Sequence, residues 1–98
     1  MARKAKTEPE VMTTDVVFQL PAFEGASEVV LVGDFNDWSE SSLPMTRTGD
    51  MFEIIVPLMK GQQYSYKYLV DGHRWENDWN ADQYVPNEFG GDDSVRTT

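Results

Sequence analysis

The chain has 98 residues, 40% hydrophobic and 12% aromatic, enough to pack one domain around a core and too few for two. It has no cysteine, which excludes a disulfide framework and a thiolate metal site. The formal net charge is -9, from 17 acids against 8 bases; a nucleic-acid partner, held through Lys and Arg on phosphates, is not expected.

Such a charge favours a neutral partner or a basic protein surface, and it also serves solubility whatever the partner. Residues 1–13 read as a flexible polar tail, and residues 14–98 as the folded domain. Arg3, Lys4 and Lys6 are followed by Thr7-Glu8-Pro9-Glu10, where a signal peptide needs an apolar stretch. The cytoplasm is therefore the default location. No run reaches the length of a membrane span, and no membrane partner is expected.

Beyond the tail the chain reads as short strands between turn signals, with no useful helical period. Val16, Phe18 and Leu20 alternate with Val17 and Gln19 up to Pro21. Glu28 to Val32 is nearly all apolar, as in a strand covered on both faces, and stops at Gly33-Asp34. Leu43 to Thr46 suits a short edge strand, where Pro44 is tolerable. Thr48-Gly49-Asp50 is a turn, after which Phe52, Ile54 and Val56 alternate with Glu53 and Ile55 before Pro57. A turn at Lys60-Gly61 leads into Tyr64 to Val70. This strand places Tyr64, Tyr66, Tyr68 and Val70 on one face and Ser65, Lys67 and Leu69 on the other. Asp71-Gly72 is a hairpin turn with His73 to Glu76 as the return strand. Residues 77–92, rich in Asn, Asp, Gly and Pro, read as one long loop, and Ser94 to Thr97 as the last strand. Six or seven short strands at this spacing suggest an all-β, two-sheet sandwich.

None of the three tryptophans lies inside an alternating strand. Trp38 ends a polar turn, Trp75 follows the Asp71-Gly72 turn, and Trp79 stands in Asn77-Asp78-Trp79-Asn80. One reading has a tryptophan plugging the sandwich core; the other has the indoles facing a ligand. A pyranose ring offers an apolar C–H face rimmed by hydroxyls, which suits an aromatic platform with polar neighbours. Removing about 100 Å² of apolar surface per stacked sugar contributes roughly 2–3 kcal/mol. Lys67, opposite the tyrosines, brings three donors for hydroxyls or serves as an ordinary solvated lysine.

The segments Val32-Gly33-Asp34-Phe35-Asn36-Asp37-Trp38, Tyr66-Lys67-Tyr68-Leu69-Val70-Asp71-Gly72, Trp75, and Asn87-Glu88-Phe89-Gly90-Gly91 with Ser94-Val95 together resemble carbohydrate-binding module family forty-eight. That family includes the early-set domain of isoamylases and branching enzymes and the glycogen-binding domain of the AMP-activated protein kinase beta subunit. The resemblance runs from about residue 15 to 96, nearly the whole folded part, and implies an immunoglobulin-like, early-set β-sandwich of about seven short strands. It implies that Trp38 and Trp75 stack on glucose units, that Lys67 bonds sugar hydroxyls, and that Phe89 adds an apolar loop contact. A family asparagine aligns with Asp93, which can only accept hydrogen bonds, and Gly91 replaces a polar residue of the kinase domains. Nothing is carried over to Trp79, which forms another platform or covers the core.

Three other classes are weighed. Asp71, Glu76, Asp78 and Asp82 offer carboxylates for glycoside hydrolysis, which needs a pair about 5–9.5 Å apart. A sandwich of 98 residues has no obvious deep cleft, and His73 has no nucleophile partner, so no catalytic residue is expected. Asp78, Asn80 and Asp82 alternate like calcium ligands but lack the glycine and distant glutamate of an EF-hand. They read as a polar turn, and no metal or cofactor is expected. The third class, a docking or regulatory module acting with a separate glucan-metabolising enzyme, is the alternative. The leading expectation is non-catalytic α-1,4-glucan binding by Trp38, Lys67, Trp75, Phe89 and Asp93.

Overall fold

Alternation of buried and exposed residues builds the long strands of the smaller sheet in the computed structural model, which describes residues 12–22 and 26–98. Most of the tail expected over residues 1–13 lies outside the described residues. In β1 (Thr13–Pro21), Val16, Phe18 and Leu20 are buried, whereas Val17 and Gln19 face outward. The other strands are β2 (Val29–Gly33), β3 (Thr46–Thr48), β4 (Met51–Met59), β5 (Gln63–Val70), β6 (Arg74–Glu76), β7 (Gln83–Pro86) and β8 (Asp92–Thr97). One sheet has the order β1-β4-β3. The other runs β2-β5-β8-β7, with β6 also on β5. All pairings are antiparallel. The all-β, two-sheet sandwich is the architecture expected, with eight strands among the described residues.

Two readings change. The region 77–92 is not one loop, because Gln83–Pro86 pairs with Asp92–Val95. The edge strand at Leu43 to Thr46 is divided between the sheets. Leu43 accepts a bond from Leu31 N–H, Met45 donates to Val29, and Pro44 bridges Val30, all on the edge of β2. The chain then crosses to the other sheet as β3. Pro44 costs no ladder bond because its missing N–H would face away from β2.

Between the sheets, Phe18, Phe52, Tyr66 and Tyr68 are the largest fully buried side chains. Phe18 meets Tyr66 edge-on, with ring centres 4.9 Å apart. Each such ring contributes roughly 2–3 kcal/mol by leaving water. The tyrosines bring hydroxyls inside, and Asp78 answers them. Its Oδ2 accepts from Tyr66 at 2.6 Å and Tyr68 at 3.1 Å, and pairs with Arg96 at 3.4 Å. Asp78 is only 2% exposed, so the solvated turn expected over 78–82 instead sends a carboxylate into the core. Burial first, and the Asp78 carboxylate with it, pushes both phenols well above their ordinary range.

Candidate functional site

Five side chains singled out in the sequence line one groove of about 870 Å³: Trp38, Lys67, Trp75, Phe89 and Asp93. It lies on the outer face of the larger sheet. Lys67 on β5 sits opposite Val32 on β2, and Trp75 on β6 sits opposite Leu69 on β5, so alternation puts both on the face turned away from the tyrosines. Val32, Leu69 and Val95 on this face are 0%, 3% and 3% exposed although they stand apart from the inner core. Val32 also lines the groove.

Trp38 is presented by a built turn. After β2 a single 3-10 turn, Asp34–Asn36, is followed by Asp37 and Trp38 with φ of 55° and 57°. A bulky residue in the left-handed region is uncommon and costs about 1 kcal/mol or more. Asn36 holds the turn. Its Oδ1 accepts the Gly33 N–H at 3.0 Å and its Nδ2 donates to Leu31, Ser39 and Ser42. The Trp38 N–H closes onto the Gly33 carbonyl at 2.9 Å. Gly33 is required by space, since a Cβ there would stand 2.6 Å from the Ser65 oxygen and 2.7 Å from Tyr66 Cβ. The indole itself is oriented by Asp34, which accepts from Trp38 Nε1 at 3.0 Å.

Phe89 owes its place to Asn87. The Asn87 Oδ1 accepts the N–H groups of Phe89 and Gly91, and its main chain donates to the Gly91 carbonyl. The ring is 88% exposed, the most of any large apolar residue described, so this loop spends hydrogen bonds on displaying it. Asn87 Nδ2 also donates to Asp93 Oδ1 at 2.9 Å, which leaves Oδ2 as the other acceptor of that carboxylate. Lys67 Nζ donates to the Asp92 carbonyl at 3.0 Å, an oxygen that Asn77 also reaches at 3.0 Å. Two of the three ammonium donors of Lys67 remain beyond that bond.

The core-plug reading of the tryptophans fails. Trp38, Trp75 and Trp79 are 36%, 42% and 64% exposed, and the core is filled by tyrosine and phenylalanine. Trp79 lies outside the groove lining. Asp34, Asn36 and Asn87, which position the aromatics, carry roles missed in the sequence. The signal available was their place in polar turns beside an indole or phenyl ring, where Asx side chains tie down backbone N–H groups. Among the described residues, no group of three or more His, Asp or Glu is arranged to hold a metal.

Residues 6–85 match the family model of carbohydrate-binding module 48, the isoamylase N-terminal domain. The chain belongs to that family. The matched span contains Trp38, Lys67 and Trp75 and ends before Phe89 and Asp93. Similar proteins include 5'-AMP-activated protein kinase subunit beta-1 of Sus scrofa, 46% identical over 54 residues, which are 55% of this chain and 41% of that one. The same subunit of Homo sapiens is 44% identical over 54 residues, 55% of this chain and 18% of that one. The 1,4-alpha-glucan branching enzyme of Novosphingobium aromaticivorans is 45% identical over 47 residues, 46% of this chain and 6% of the enzyme. The match therefore spans less than half the length of each of these relatives. The family 48 domain here is an immunoglobulin-like, early-set sandwich.

Proposed function

We propose that the groove binds α-1,4-glucan without cutting it. One observation carries the reading: Trp38, Trp75 and Phe89 border a single groove around Lys67, each ring held exposed although burial would stabilise it. The rings desolvate the C–H faces of successive glucose units. Lys67 supplies donors to hydroxyl or ring oxygens, while Asp93, Glu40 and Glu88 at the lining accept from hydroxyls. Aspartate at position 93 removes a donor relative to the asparagine of kinase domains, and Asn87 fixes which of its oxygens is spoken for.

Two or three stacked sugars, less the cost of association, give a dissociation constant of about micromolar to millimolar. A polymer presenting many sites turns that into firm retention. Affinity electrophoresis in a gel containing glycogen tests the reading. The protein is retarded and added maltoheptaose relieves the retardation; unchanged migration refutes it.

A second reading has its own support. The outer face of the smaller sheet exposes the cross-strand pair Val17 and Ile55 at 45% and 62%, with Met59 at 48% nearby on β4. That aliphatic surface, on the sheet that does not carry the groove, suits docking to a separate glucan-metabolising enzyme. Ile55→Glu then abolishes the association and leaves retardation by glycogen unchanged.

A further inference from the structure

Trp79 is 64% exposed and stands outside the groove, yet the main chain that carries it is firmly held. The residue before it, Asp78, is anchored in the core by Tyr66, Tyr68 and Arg96, and its N–H donates to Ser94 Oγ at 2.9 Å. The residue after it, Asn80, donates its N–H to Asp78 Oδ1 at 2.9 Å. The main chain is thus tied to the same carboxylate on both sides of the indole. Tyr84, 46% exposed, donates its hydroxyl to the Asp78 carbonyl at 2.5 Å, which brings the tip of a second ring to the peptide that leads into Trp79.

The side of the sheet follows from register. Asp93 lines the groove, and its neighbour Ser94 points to the opposite face, where it is fully buried. Tyr84 pairs with Ser94 and so shares that inner face, at the outer edge of the sheet where nothing covers the ring completely. Tyr84 therefore stands on the far side of the β7–β8 edge from the groove, its hydroxyl on the peptide that leads into Trp79, which itself lies outside the groove lining.

We infer that Trp79, with Tyr84, is a second contact for the same class of ligand, a neutral α-glucan chain; this rests on the groove reading given above. The chemistry around it selects the ligand. Residues 77–92 contain no Lys or Arg, Asp78 already pairs with Arg96 in the core, and the exposed acid three positions on from Trp79 is Asp82, so a phosphate polymer finds no cation on this segment. The neighbours Asn80, Asp82 and Gln83 offer amide and carboxylate groups to hydroxyls. An exposed indole on a tied main chain among such groups is suited to the C–H face of a sugar. Because Tyr84 faces away from the groove and Trp79 lies outside its lining, this contact engages a different chain or a distant part of one polymer. The gain is in avidity.

The test is a titration of the isotope-labelled full chain with maltoheptaose, following the three indole N–H resonances of the wild type and the Trp79 resonance that remains in a Trp38→Ala/Trp75→Ala double variant. The Trp79 resonance shifts in both, saturating at higher sugar concentration than the groove resonances. A Trp79 resonance that stays still while Trp38 and Trp75 move, or that moves only when the groove is intact, overturns the second site and leaves the groove reading standing. Silence of all three refutes both. In an amylopectin gel, Trp79→Ala lowers the apparent polymer affinity by about tenfold while the maltoheptaose response at Trp38 is kept. Unchanged polymer affinity contradicts the inference.

Discussion

Asp34 and Trp38 are joined by a 3.0 Å hydrogen bond from the indole Nε1 to Oδ1, while Oδ2 of the same carboxylate accepts the Ser65 N–H at 2.7 Å. One carboxylate therefore fastens a turn residue to the central strand β5, which also carries Lys67. The platform and the cation are set relative to each other by a single side chain. Asp34→Ala leaves both donors without their acceptor. Maltoheptaose affinity then falls by about 1 kcal/mol, roughly fivefold, while the fold survives. Calorimetric titration beside a thermal melt checks both parts.

Gly33 is the second support of that turn, and its contribution is space. An added methyl would meet the backbone oxygen of Ser65 and the Cβ of Tyr66, neither of which can rotate away. Gly33→Ala costs about 2 kcal/mol of stability or more and weakens sugar binding with it. Denaturant unfolding gives the first quantity directly.

Asp78 holds the core polar network. Asp78→Ala strands Arg96 and two phenols at once and costs about 3–5 kcal/mol. The same network sets an alkaline limit. Both phenols have folded-state pKa values raised above the ordinary 10.0, by burial first and then by Asp78. Their stabilisation is complete below that value and declines as pH rises above it, because folding then requires neutral phenols. Melting temperature against pH drops on the alkaline side, and Tyr68→Phe makes the drop shallower.

How far the sequence reached depends on whether the physics was local. The alternation of Tyr64 to Val70 gave the strand and both its faces, because side chains in a strand point alternately. Asp71-Gly72 marked the hairpin, where both residues take positive φ. Trp38 and Trp75 stood out because indoles in polar turns forgo burial. Asp78 was not legible, since its partners lie ten to eighteen positions away on β5 and β8. Gln83–Pro86 also escaped, being mostly exposed at a sheet edge with no apolar alternation to betray it.

Acid acts through Asp71. Its Oδ1 accepts the N–H groups of Ser27 and Glu28 at 2.8 and 2.9 Å, tying the approach to β2 onto the hairpin. The Glu28 bond first, then the Ser27 bond, hold its carboxyl below the ordinary 3.8. With the folded value below the unfolded one, the stabilisation is complete above 3.8 and lost as pH falls through the lower folded value. Thermal melts between about pH 5 and about pH 2 show this decline, and Asp71→Asn flattens it.

The proposed glucan binding rests on two solvent-facing indoles, Trp38 and Trp75. Calorimetric titration of Trp38→Ala and Trp75→Ala with maltoheptaose, each beside its own melt, tests it most directly. Each variant melts cooperatively near the wild-type temperature and loses about 2 kcal/mol of binding. Wild-type affinity in both variants, or loss of the cooperative melt in either, contradicts the account.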